Sequence, residues 1–523
     1  MLCAVEQAPD PKRWIALGVV AAGVALIIID ATIVNVALPT IIRDLDLGLS
    51  GAEWVNSIYS LVFAALLIAT GRLADMRGRR LVYIAGLAIF GSASILAGLA
   101  GSGELLILAR LLQGIGGALV LPSTLSIVNA TFQGKERAAA FGVWGGTIGG
   151  MAALGPIAGG WITTTFDWRW IFLINIPLAA LLIVLALRFV RESRDPDARP
   201  TGDLLGGVAI ALGLGALVFG LIEGRTYGWW APKEDFPGWP AGGVSPIPFA
   251  FAIAALCVVA FLLGNRARRR AGKPVFVDLS LFRQRSFGFG NLTALLVSLG
   301  EFGLLFAIPL YLQNVLALSA TQSGLILACL AAGAFVSAGG AAPLSRRIGG
   351  RGIVQIGMAL EAIGLLGFAL LVAPGIPAWH LIPALFVYGL GIGFATAQLT
   401  GVILADVPVA ASGQASGVQS TSRQIGSALG VAILGTVLAT VVYGHALDSL
   451  RAQGVPQADR IATAVEGSAG TAMPALIAGN ATLAQPLEQA FSDATRATGI
   501  VAAAFILVGL ASSFLLPRAR ERS

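Results

Sequence analysis

Five charged side chains lie within long apolar stretches of this chain: Asp30, Arg110, Glu301, Glu361 and Arg423. A charge held among aliphatic side chains is costly, so each is a candidate for function. Three are carboxyls and two are guanidiniums, and the chemistry open to such a set is reversible proton binding. Burial opposes the charge on a carboxyl, and a nearby arginine restores it. A change in solvent access alters both influences, so an acid of this kind can take a proton from one side and release it to the other. The rise per helical residue puts Asp30 about 12 Å and Arg110 about 9 Å from the same end of their apolar runs, close enough in level to pair. Glu301 lies about 16 Å in, near the middle of its run. Asp30 is therefore the first expected proton carrier, with Arg110 modulating it; the alternative is a structural polar contact between two helices. Glu301 is the second, for a proton or a cationic ligand. Glu361 and Arg423 can also simply neutralise neighbours.

The elements that position these residues are membrane-spanning helices. Of 523 residues, 56% are hydrophobic and 12% charged, against about 25% charged in an average soluble domain. About 20 apolar residues cross a hydrocarbon core. Fourteen segments reach that length: 14–38, 53–72, 81–101, 104–129, 137–161, 169–190, 203–223, 247–265, 286–312, 321–344, 353–373, 380–404, 412–442 and 497–517. The first is too long for a signal-peptide core and is expected to be a retained span. The 67 glycines suit close helix packing in lipid. Alternate loops carry 25 of the 34 basic residues and the opposite loops 7. The positive-inside rule then puts both termini in the cytoplasm. The basic stretch from Arg266 to Arg285 is expected to anchor topology and touch anionic lipid.

That distribution accounts for the net charge of +7 without nucleic acid as a partner. A nucleotide-driven pump is disfavoured, because Gly134-Lys135 is followed by Glu136 and no phosphate-binding loop is present. An enzyme is disfavoured too: the two histidines, His380 and His445, lie at or beyond span ends, and no nucleophile–base or metal-ligand set is legible. Cys3, Cys257 and Cys329 make no disulfide framework. No cofactor is expected, and the energy source is then an ion gradient, most plausibly protons.

An internal repeat is faint but readable. Gly71-Arg-Leu-Ala-Asp-Met-Arg-Gly-Arg-Arg80 between the second and third segments is echoed by Pro343-Leu-Ser-Arg-Arg-Ile-Gly-Gly-Arg351 between the tenth and eleventh. If 203–265 is an inserted helix pair, the rest divides into two six-helix halves, a build that places a substrate site near the midplane. The expected organisation is a first half over 1–200, an inserted pair over 201–270 and a second half over 271–523, with a long external loop at about 444–496.

Four stretches in order then resemble the major facilitator superfamily, specifically its fourteen-helix drug/proton antiporter branch (EmrB/QacA-like): Asp30-Ala-Thr-Ile-Val-Asn-Val-Ala-Leu-Pro39, the 71–80 loop, Arg110-Leu-Leu-Gln-Gly-Ile-Gly-Gly117, and Gly145-Gly-Thr-Ile-Gly-Gly-Met-Ala-Ala-Leu-Gly-Pro-Ile-Ala-Gly-Gly160. The fold class this implies is an all-α integral membrane protein with two six-helix halves and two inserted helices. Read physically, Asp75 can cap a neighbouring helix N-terminus beside Gly71 while Arg79 and Arg80 pair across the halves. The resemblance implies the same: a latch closing the inner side. The alternative is that the arginines only mark the cytoplasmic side. Gly146, Gly150, Gly155, Pro156, Gly159 and Gly160 make the fifth helix smooth and bendable, and the resemblance implies a hinge that favours export; ordinary glycine packing is the other reading. Asn35, Gln113, Tyr311, Asn314, Tyr388 and Gln398 are candidate cavity residues, each also explicable as a helix–helix contact.

The function expected from the resemblance is proton-coupled antiport of lipophilic or cationic drugs out of a bacterial cell, across the cytoplasmic membrane, by a monomer in contact with lipid. A dedicated exporter of a lipid, metabolite or self-made antibiotic is the alternative.

Overall fold

In a computed structural model of the chain, residues 11–45, 47, 49–194, 203–233, 236, 239, 243–468 and 470–517 are described. The side chains of Asn35 and Pro156 lie outside the described residues. Sixteen α-helices follow one another: α1 (Arg13–Asp44), α2 (Leu49–Arg77), α3 (Arg79–Gly98), α4 (Gly103–Thr131), α5 (Gly134–Thr165), α6 (Trp170–Leu173), α7 (Asn175–Phe189), α8 (Leu204–Tyr227), α9 (Pro246–Arg270), α10 (Arg285–Asn314), α11 (Ala320–Leu371), α12 (Ile382–Ile403), α13 (Ser412–Ala452), α14 (Ala458–Gly467), α15 (Met473–Gly479) and α16 (Ala484–Ser513). Among the described residues, twelve helical stretches are long and apolar enough to cross a membrane, and shorter apolar stretches lie in α5 and in the first arm of α11. Helices suit lipid because every backbone group inside them is satisfied within the segment.

Local chemistry sets the helix ends. Ser102 Oγ accepts the Leu105 N–H at the start of α4, Asp203 accepts from Gly206 at the start of α8, and Ser245 precedes Pro246 at the start of α9. Ser319 and Gln322 form a full capping box on α11. Both loops of the internal repeat turn on one glycine in the left-handed region. Gly78 (φ 118°) separates α2 from α3, and Gly349 (φ 76°) kinks α11 into arms over 320–348 and 350–371. Between α6 and α7 the helix loosens at Ile174 because Pro177 cannot donate to the carbonyl one turn back.

The molecule wears its apolar residues outside as well as inside. Leu181, Val184 and Leu187 on α7, and Leu256, Val259 and Leu263 on α9, are all exposed, while Asp30, Arg110, Glu301 and Glu361 are buried. An apolar exterior over a core with charges is what lipid as solvent requires. Close backbone approach holds the bundle: a Cβ on Gly430 of α13 would lie 2.2 Å from the Leu299 carbonyl of α10, and one on Gly389 of α12 would lie 2.0 Å from the Leu330 carbonyl of α11.

The helices α1 to α7 pack with one another and α10 to α16 likewise; between the two groups α5 packs on α11 and α12, and α2 and α4 pack on α13. The pair α8 and α9 packs on itself and against α2, where Trp54 stacks on Phe219 with ring centroids 6.1 Å apart. The basic loops gather at one end of the bundle, called here the basic end. At the opposite end the stretch 444–496 carries short helices: α13 runs on to Ala452, α16 starts at Ala484, and α14 and α15 lie between them in the chain, with Ala462, Val465 and Met473 buried. Glu223 near the end of α8 is buried; the segment after α8 turns back at Gly228 and lays Trp229 against Gly224.

Candidate proton-coupling and gating sites

Arg110 and Gln113 stand three residues apart on α4, so both project toward α1. There Arg110 Nη1 donates to Asp30 Oδ2 at 2.6 Å and to Gln113 Oε1 at 2.9 Å. The Asp30 Oδ1 atom accepts from Gln113 Nε2 at 3.2 Å and from Asn175 Nδ2 at 2.8 Å. Ser94 Oγ of α3 accepts from Gln113 at 2.9 Å. The guanidinium also donates to the Val55 carbonyl at 3.3 Å and lies over the Tyr59 ring, 4.3 Å from its centroid. Both members of the ion pair have side-chain exposure of 0%. The Tyr59 hydroxyl and Arg110 Nη2 have no partner among the described residues. Three helices, α1, α4 and α7, thus converge on one carboxylate.

At the basic end Asp75 spans the two halves. Its Oδ1 and Oδ2 accept the Gly413 and Gln414 backbone N–H groups at 2.8 and 2.9 Å, at the N-terminus of α13. That end of a helix carries unsatisfied donors and a partial positive charge. Arg79 Nη2 donates to Asp75 at 2.9 Å and to the Val409 carbonyl at 2.6 Å, so it too reaches across. Arg80 does not: its guanidinium donates to the Val190 carbonyl at 3.2 Å, within its own half. Gly71 and Gly413 face each other so closely that a Cβ on either would lie 2.3 or 2.2 Å from the other's carbonyl. Two further bonds cross nearby, Asn129 to Ser412 at 2.7 Å and Ser126 to Ser416 at 3.3 Å, and Arg137 of α5 donates to the Leu404 carbonyl of α12.

The fifth helix is buried at Gly146, Gly150, Gly155, Gly159 and Gly160. Gly150 faces Phe335 of α11, while Gly155 and Gly159 face Thr32 and Ile33 of α1, so α5 touches both halves through small residues.

In the second half Glu301 of α10 accepts Thr396 Oγ1 at 3.4 Å and Arg423 Nη2 of α13 at 3.4 Å. Tyr388 donates to the Glu301 backbone carbonyl at 3.3 Å. Gln398 is buried beside Gly350. Tyr311 and Asn314 stand at the opposite end of α10: the Tyr311 hydroxyl donates to the Ala373 carbonyl at 2.8 Å, and the Asn314 amide lies against Gly470. These two are therefore apart from the Glu301 group. No cluster of metal ligands occurs among the described residues.

Sequence reasoning passed over Asn175, Ser94, Tyr59 and Thr396. Asn175 left a signal, an amide inside an apolar run two residues before Pro177. Ser94 and Thr396 left none, since a hydroxyl in a span usually bonds its own helix.

Two helical groups joined by hydrogen bonds at one end, with charges buried in each and an apolar exterior, have the build of a polytopic membrane protein. The Major Facilitator Superfamily profile matches residues 20–431, and the chain belongs to that superfamily. It is 35% identical over 454 residues to the "Probable actinorhodin transporter" of Streptomyces coelicolor, covering 84% of this chain and 75% of that one. Over 517 residues it is 32% identical to the "Multidrug efflux pump LfrA" of Mycolicibacterium smegmatis, covering 98% of each. The fold matches that of the human organic anion transporter MFSD10 (TETRAN) with a TM-score of 0.60 at 15% identity, covering 97% of this chain and all of that one.

Proposed function

We propose that the chain is a proton-coupled exporter that moves lipophilic or cationic drugs and other toxic compounds outward across the bacterial cytoplasmic membrane by alternating access. The observation that carries the reading is the Asp30–Arg110 pair, fully buried at 2.6 Å. Protonating Asp30 removes its charge and leaves Arg110 with a single neutral acceptor beyond the backbone, so the helices that meet there lose their common anchor. Breaking a buried pair costs about 3–5 kcal/mol, enough to bias a two-state carrier strongly.

The basic end is read as cytoplasmic from its charge, which puts both termini there. Asp75 seated on the α13 N-terminus supports a latch that closes that side. We assign the chain to the fourteen-helix drug/proton antiporter branch; the inserted pair α8 and α9 and the further apolar stretches in α5 and α11 support that count. Similarity to exporters named for multidrug efflux and for one antibiotic supports both a broad substrate range and a dedicated one.

Inside-out vesicles carrying the chain and a respiratory pH gradient test this. Several chemically unrelated lipophilic cations and neutral drugs are expected to collapse the gradient, and Asp30→Asn is expected to abolish the response while still inserting. Collapse by a single native antibiotic or lipid would favour the dedicated carrier. Full response in Asp30→Asn would remove Asp30 from coupling.

A further inference from the structure

The second half holds two carboxyls and one guanidinium where the first half holds a matched pair. Glu361 stands on the second arm of α11 with 0% exposure, and neither of its carboxyl oxygens has a hydrogen-bond partner among the described residues. It presses on α12, where a Cβ on Gly391 would lie 2.6 Å from Glu361 Cγ. Tyr388, about one turn before Gly391 on α12, bonds the Glu301 backbone, and Thr396, further along the same helix, bonds the Glu301 carboxylate. Glu361 is thus within electrostatic reach of both Glu301 and Arg423. The charged and titratable groups facing it are Glu301 from α10, Tyr388 from α12 and Arg423 from α13. The helix α16 brings none, having no charged residue over 497–517.

One arginine neutralises one acid. Arg423 holds Glu301 loosely, at 3.4 Å against 2.6 Å for the Arg110 pair, and its Nη1 has no partner among the described residues. A second ionised carboxylate without donors in a dry interior would cost several kcal/mol. A proton shared by the two acids removes that cost, the behaviour of carboxyls crowded into one site.

We infer that Glu301 and Glu361 together carry one exchangeable proton in the latched state, forming a second coupling site that works beside Asp30. The inference rests on the proton-coupled reading above. On release, one carboxyl O–H bond breaks, the proton passes to water in the opened cavity, and the cluster is left with one uncompensated negative charge that a cationic substrate balances. Arg423 lies ten residues along α13 from Gly413, about 15 Å of helix, so the helix seated on the Asp75 latch is also the one that carries the counter-charge.

The full chain in lipid nanodiscs tests this without any substrate. The readout is the protonated-carboxyl C=O absorption in infrared difference spectra, with the protons released between acid and alkaline pH counted by an indicator dye. Glu361→Gln and Glu301→Gln are each expected to remove the same single proton from the count. Asp30→Asn is expected to remove a different one, additively with either. Arg423→Gln is expected to move the count the opposite way, because both acids then need a proton. If Glu361→Gln fails to insert, Glu301→Gln and Arg423→Gln carry the test through their opposite signs. An unchanged count in Glu361→Gln, or no rise in Arg423→Gln, overturns the shared site. If the chain shows no gradient-driven flux of tetraphenylphosphonium while Glu361→Gln still loses its proton, the antiport reading fails and the shared site stands.

Discussion

At the scale of single residues the first-half site is over-determined. Asp30 accepts from Arg110, Gln113 and Asn175, and only the first two stand on the same helix. Asn175 is the donor that ties α7 to the group, and removing one partner leaves a buried acceptor short of a bond, at about 1–3 kcal/mol. Asn175→Leu is therefore expected to slow transport several-fold, with Asn175→Asp harsher still because it sets a second carboxyl against Asp30. Drug-driven flux in vesicles, set beside the amount of inserted protein, checks this. Unaltered flux in Asn175→Leu would mean that Arg110 and Gln113 suffice to hold the carboxylate.

At the scale of elements the decisive contact is a helix end against a turn. Asp75 reaches the α13 N-terminus because Gly71 and Gly413 have no side chains to hold the helices apart. Gly413→Ala is expected to push α13 off and weaken the latch while leaving Asp30 untouched. Asp75→Asn keeps the shape and removes the charge that the helix end favours. Both variants are expected to lower turnover at least as much as they weaken substrate binding, the pattern of a defect in switching rather than in the cavity. Separate measurement of ligand affinity and transport rate checks it; a loss confined to affinity would place Asp75 in the binding machinery instead.

At the scale of the whole molecule, alternating access requires the halves to part at the basic end, where Asp75, Arg79, Asn129 and Ser126 all cross. The Ser126 and Ser416 hydroxyls are 3.3 Å apart, close enough for a disulfide after Ser126→Cys/Ser416→Cys. Oxidation of that double variant is expected to stop transport and a reductant to restore it. Transport that persists with the bond formed would mean that this face stays shut throughout the cycle.

The sequence by itself determined the solvent, the family and the candidate charges. Apolar runs long enough to span lipid can only be helices there, and four motifs in order point to one superfamily. It also put Asp30 and Arg110 at one depth, because helical rise is constant along a span. What it left open were partners across helices. Which hydroxyl or amide faces which carboxylate depends on how each helix is rotated, and a span apolar on every side carries no period that reveals the rotation. Asn175 joining Asp30, Arg80 staying within its own half, and Glu361 lying bare beside Glu301 were decided only when packing through Gly391, Gly413 and their neighbours set those rotations.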